Sequence, residues 1–180
     1  MTLYHGSNIA GLTELEPSLS EHGKPYIYFA DNPLLALLYA VKPVSKPFSF
    51  YPYGFGADGR IVYSEYFEDA FKILYGGQKG YLYECDSIEN TEQPTQIKGV
   101  YTCTKMVKVN RMTEINDLYE YYIEQEKSGL FKIKHFKDVS ESEMNFVLND
   151  MKNTVEQYNL KNGTCNPMFI FIKEHFPTAL

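Results

Sequence analysis

The chain lacks any run of about 18 apolar residues, so no transmembrane helix is expected. Its opening, Met1-Thr2-Leu3-Tyr4-His5, has neither the basic region nor the apolar core of a signal peptide. Cysteine is scarce: Cys85, Cys103 and Cys165 are scattered, odd in number and free of any C-x-x-C spacing. Neither a zinc site nor a disulfide framework is indicated, and a reduced, cytoplasmic protein without a membrane partner is the default. Positive charge is short as well, with 17 Lys and Arg against 23 Asp and Glu, a net −6. Sequence-independent nucleic-acid binding needs clustered cations, so this balance argues against it. The one basic stretch, Lys132 to Lys137, alternates cations with Ile133 and Phe136 and reads as an edge strand protected by lysines. No internal repeat or low-complexity segment occurs.

What is present fits a soluble globular protein: 180 residues, 44% hydrophobic and 22% charged. That length suits one domain with room for an appended subdomain. Thr2 to Tyr4 reads as a short strand, left by the turn His5-Gly6-Ser7. Tyr26 to Ala30 is aromatic and β-branched, a buried strand. Asp31 or Asn32 can cap the next helix, Pro33 suits its first turn, and Leu34, Leu37, Leu38 and Val41 give it a wide apolar face. Lys42 to Gly59 is an aromatic, proline-broken loop that either packs on the body or covers a ligand. Within it Gly54-Phe-Gly56-Ala-Asp-Gly59 spells GxGxxG, but no strand precedes it and no helix opens at its last glycine. It is therefore read as a chance match.

Further along, Ser64 to Tyr75 reads as a helix, Gly80 to Asp86 as a strand, and Val100 to Val109 as a strand pair or one bent strand. Thr113 is expected to cap a helix to about Lys127. Ser140-Glu-Ser-Glu143 is a capping box for another helix, to about Leu160, ended by Gly163. Met168 to Lys173 reads as a final strand.

Leu3-Tyr4-His5-Gly6-Ser7, then Ile27-Tyr28-Phe29-Ala30-Asp31, then Tyr39 eleven places after Tyr28, resembles the ADP-ribosyltransferase superfamily. The likeness is to its H-Y-E branch, which includes poly(ADP-ribose) polymerases and rifampin ADP-ribosyltransferases. It covers roughly the first quarter of the chain. Tyrosine numbers 16 of 180 residues, so the combination carries the resemblance and no single tyrosine does. It implies an α+β fold: a split pair of small antiparallel sheets with flanking helices over residues 1–112. A mainly helical C-terminal extension over 113–180 would pack on that core.

The resemblance also implies a glycosyltransferase that uses NAD as substrate and releases nicotinamide, without a metal. His5 would bond the ribose next to nicotinamide. Gly6 and Ser7 would hold the carboxamide, Tyr28 and Tyr39 would stack on the ring, and Ala30 would complete the cofactor site. The acceptor, whether protein, nucleic acid or small molecule, is not specified, nor is the oligomeric state.

The chain departs from the pattern at the catalytic acid. Breaking the bond to nicotinamide gives an oxocarbenium-like transition state, which a carboxylate near the ribose stabilises. In the polymerases that Glu begins a late strand resembling Val100-Tyr101-Thr102-Cys103, where this chain has Val100. The rifampin enzymes take an Asp from the preceding loop. The corresponding region here offers Glu89 and Glu92, with Glu84 and Asp86 on the strand before, and Glu89 has the most similar offset. Two functional readings follow: transfer of ADP-ribose with Glu89 as the acid, or an inactive module that binds NAD or ADP-ribose. A tyrosine-rich structural domain is the third.

Overall fold

The computed structural model describes residues 1–19, 24–41, 52–86, 88–93, 97–162 and 166–180. Along the chain, strands β1 (Leu3–Ser7), β2 (Glu14–Leu15), β3 (Ser18–Leu19) and β4 (Pro25–Ala30) lead to helix α1 (Pro33–Leu38). Strands β5 (Tyr53–Phe55) and β6 (Ile61–Ser64) precede α2 (Ala70–Tyr75). Next come β7 (Gly80–Cys85), β8 (Val100–Cys103), β9 (Val107–Lys108), β10 (Arg111–Ile115) and α3 (Leu118–Lys127). The series closes with β11 (Phe131–Lys134), α4 (Glu141–Gln157) and α5 (Pro167–His175). The fold is mixed α+β, with small, mainly antiparallel sheets and five α-helices among the described residues. It divides into two compact units, Met1–Val41 with Gly77–Tyr122, and Lys42–Gly76 with Ile123–Leu180. Each unit is built from two stretches of chain, whereas the sequence reading places one boundary between residues 112 and 113.

In the first unit β7 pairs antiparallel with β1 along its whole length, from Leu3 opposite Cys85 to Ser7 opposite Tyr81. Its other edge carries β10. Strand β4 lies beyond β1 but meets it at one register position, Tyr4 opposite Ala30, and pairs with β8 from Ile27 to Ala30. Period-two alternation sends Leu3, Ile27, Phe29, Cys85 and Cys103 to a shared core that also takes Leu15. Burying each large apolar side chain contributes about 1.5–3 kcal/mol.

Helix α1 begins as its sequence dictates: Asn32 Oδ1 accepts the Leu34 N–H at 2.8 Å and Pro33 fills the first turn. Leu34 to Leu38 are all buried. The Tyr122 hydroxyl, itself buried, donates to the Leu34 carbonyl. The helix approaches β1 so closely that a Cβ on Gly6 would lie 2.0 Å from the Ala36 carbonyl oxygen.

In the second unit β6 pairs antiparallel with β5 and parallel with β11. Strand β11 is an edge, with Phe131 and Ile133 buried and Lys132 and Lys134 alternating with them, as the lysine pattern predicts. The GxGxxG stretch forms the β5–β6 hairpin: the Gly56 N–H donates to the Arg60 carbonyl, and Gly59 adopts φ +81°. No helix follows it, and β6 begins at Ile61. The predicted capping box is present, with Ser140 and Glu143 each accepting from the other's backbone N–H.

Several predicted elements differ. Ser64 ends β6 instead of capping a helix, because Ile61-Val62-Tyr63 is β-branched and aromatic, and α2 starts only at Ala70. Thr113 lies within β10, so α3 starts at Leu118. Met168–Lys173 is helical: Asn166 Oδ1 caps the Met168 N–H at 2.9 Å and Pro167 stands at the first position. A short apolar run has no period of its own, so the cap decides it. Helix α4 ends at Gln157, short of Leu160, and its expected terminator Gly163 falls outside the described residues, as do residues 42–51 of the aromatic loop.

Gly6→Ala drives a Cβ into backbone on α1, which no rotamer change relieves. Overpacking of this kind costs about 1–3 kcal/mol or more. Urea denaturation is expected to show a loss of about 3 kcal/mol. An unchanged midpoint would mean that β1 and α1 do not meet in this way.

Candidate functional site

Beyond Tyr4, β1 and β4 share no further register pair. Strand β4's carbonyls on that side then need another partner. One is found: His5 Nδ1 lies 2.8 Å from the Tyr28 carbonyl oxygen. A carbonyl can only accept, so Nδ1 carries the proton and donates. Burial holds the His5 pKa below its usual 6.5, opposed by the Tyr28 bond. The ring is thus neutral at neutral pH, with Nε2 an acceptor that has no partner among the described residues. Phe29 meets the imidazole edge-on at 6.2 Å between ring centres, and Tyr83 flanks it at 6.4 Å.

Here a cleft of about 470 Å³ opens, lined by His5 and Ser7 of β1, Tyr26 to Tyr28 of β4 and most of loop 9–16. Tyr83, fully buried opposite His5 on β7, fixes that loop at two points. Its hydroxyl donates to the Ile9 carbonyl at 2.6 Å and accepts the Leu12 N–H at 3.3 Å. The pairing of β2 with β9 anchors the far end of the loop, which brings Glu14 and Glu16 to the cleft.

Of the residues singled out from sequence, His5, Ser7 and Tyr28 line this cleft. His5 meets Tyr28 through the latter's carbonyl, while the Tyr28 ring lies edge-on to Tyr26 at 6.1 Å. Gly6 is buried opposite Leu82 and its Cα faces α1; Ala30 is buried between β1 and β8. Tyr39 is the half-buried C-cap of α1 and is not part of the cleft lining. Glu89 is exposed and meets β8 through its carbonyl, 3.9 Å from Cys103 Sγ.

Its neighbour Glu92 does more. Its backbone bridges Thr102 in both directions, at 2.9 and 2.8 Å, and its carboxylate accepts from the Tyr26 hydroxyl at 3.3 Å. Glu92, Tyr83, Glu14 and Glu16 are the residues that sequence reasoning passes over or ranks low. A signal exists only for Glu92, which stands in the right loop. The Tyr83 contacts span more than 70 positions and leave no local trace. Among the described residues no group of three or more His, Cys, Asp or Glu side chains is placed to hold a metal.

Because its folded pKa is depressed, neutral His5 stabilises the fold fully above about pH 6.5, and that contribution is lost as pH falls towards the lower folded value. Nitrogen-15 imidazole spectra are expected to show His5 as the Nδ1–H tautomer, titrating below 6.5. In urea melts His5→Asn is expected to lose less stability than the wild type between about pH 7 and 5. His175, also lowered by burial, is common to both proteins and cancels. A midpoint at or above the usual value would remove the enclosed, neutral imidazole. No family model, curated protein or solved structure matches the chain.

Proposed function

We propose that the cleft binds NAD and that the protein transfers ADP-ribose to an acceptor, releasing nicotinamide, on a split-sheet core of the ADP-ribosyltransferase kind. The observation that carries this reading is the His5–Tyr28 bridge, which holds a neutral imidazole where β1 and β4 part, its Nε2 able to accept. In the proposed complex Nε2 takes the hydrogen bond of a ribose hydroxyl, and Ser7 and the Tyr28 backbone lie alongside. The bond from C1′ to the nicotinamide nitrogen breaks with its electron pair going to the ring. The acceptor nucleophile then bonds to C1′ and gives up its proton.

A carboxylate that bonds the ribose and faces the cationic C1′ lowers the barrier, because charge developed in an enclosed site is weakly screened. Two residues of the loop before β8 compete for that role. Glu89 has the sequence offset, and Glu92 has the contact to Tyr26 of the cleft lining.

One observation favours a second reading, binding without turnover. Val100, at the head of β8, is buried and paired with Ala30, so the late strand presents no acid there.

Calorimetric titration of NAD is expected to give saturable binding that weakens about tenfold or more in His5→Ala, the loss of about one good hydrogen bond. A thermal melt checks that the variant folds. Nicotinamide release is then followed in Glu89→Gln and Glu92→Gln. Loss of an acid that acts in the transition state is expected to slow release about 10²–10³-fold with NAD affinity kept. Unchanged release in both removes this loop from the chemistry. Binding without release in the wild type selects the second reading, and no heat at millimolar NAD overturns both.

A further inference from the structure

The second unit contains a cleft of its own, about 370 Å³, between the β5–β6 hairpin and α4. We propose that it binds an organic cation, an ammonium or guanidinium head on an apolar stem. Three aromatic side chains line it: Tyr53 from β5, Tyr66 just after β6, and Phe146 from the second turn of α4. Phe146 is 74% exposed, an uncommon state for a phenyl ring, and stacks on no aromatic ring among the described residues. Val147 and Met151, both buried, supply an apolar floor.

The acids of the same cleft differ in one respect. Glu143 is already paired with Lys134 Nζ at 2.6 Å, and this ion pair, with the hydrogen bonds donated by the capping Ser140, lowers its pKa to about 2. Asp150, two turns on along α4, is half-buried, and its carboxylate has no hydrogen bond or ion pair to any described residue.

The net charge of the lining is therefore negative. Lys134 cancels Glu143, Tyr66 stays protonated because burial raises its pKa, and Asp150 is left over. An anion or a neutral ligand would leave that carboxylate uncompensated. A cation compensates it, and the aromatic faces attract the same charge through their quadrupoles. The apolar floor suits the methylene stem of an alkylamine or of a lysine or arginine side chain. This cleft stands apart from the NAD reading, since none of its lining residues belongs to the first cleft.

The test uses the full-length protein, labelled with nitrogen-15 and titrated with n-butylammonium chloride at constant ionic strength. n-Butanol is the neutral control, and a short lysine-containing peptide is a second cationic probe. Saturable amide shifts around Tyr53, Tyr66 and Phe146 are expected for the amine and not for the alcohol. Asp150→Asn is expected to weaken binding about tenfold, as loss of a charged hydrogen-bond partner does. Phe146→Ala, a change at an exposed site that leaves folding intact, is expected to weaken it several-fold.

Binding of the amine alone assigns the site to small amines, and binding of both probes extends it to peptide side chains. Either outcome supports a cation site. Equal shifts with the alcohol, unchanged affinity in Asp150→Asn, or no saturable shift with either cation at millimolar concentration would overturn it.

Discussion

A single register pair, Tyr4 opposite Ala30, joins β1 to β4, and the local chemistry of the first unit depends on the parting of the two strands beyond it. A sheet whose strands separate leaves backbone groups without ladder partners, and these must bond elsewhere or carry a desolvation penalty. His5 resolves part of that problem with a side chain, bonding the Tyr28 carbonyl where a backbone amide would ordinarily do so. The same bond fixes the tautomer of the ring and so decides which nitrogen is left for a ligand. Architecture and proton placement are therefore one fact at this position.

The opposite face of β1 is held just as tightly. Ala36 of α1 occupies the space that any Cβ at Gly6 would need, and α1 is in turn held by the Tyr122 hydroxyl on Leu34. The strand that presents His5 thus has β7 along one edge and a helix against its face. Tyr83 extends the rigidity outward, since a buried ring opposite His5 ties down the loop that walls the cleft. Preorganisation of this kind reduces the ordering cost that a ligand would otherwise meet on binding.

What the sequence makes legible is what local physics decides. The Asn32-Pro33 start, the Ser140–Glu143 box and the lysine-flanked edge at β11 follow from contacts within a few residues. Where two local signals compete, the reading fails. Met168–Lys173 is apolar enough for a strand, yet Asn166 and Pro167 start a helix, and Ser64 looks like a cap while its predecessors favour a strand. The same division governs the cleft. His5, Ser7 and Tyr28 share one lining, whereas Tyr39, which the sequence reading expects beside them, is not part of it. Glu14, Glu16 and Tyr83 arrive through pairings of β2 with β9 and of β1 with β7, and separations of that size leave no pattern in a window of sequence.

The way the two units share the chain bears on how the protein can be divided. A fragment ending at residue 112 removes most of β10, baring the edge of β7, and takes away Tyr122 and its hold on α1. A newly exposed edge strand is a template for aggregation. The smallest self-sufficient piece of the first unit therefore runs to residue 122. It must also either keep residues 42–76 or replace them with a linker from Val41 to Gly77, a splice and not a truncation.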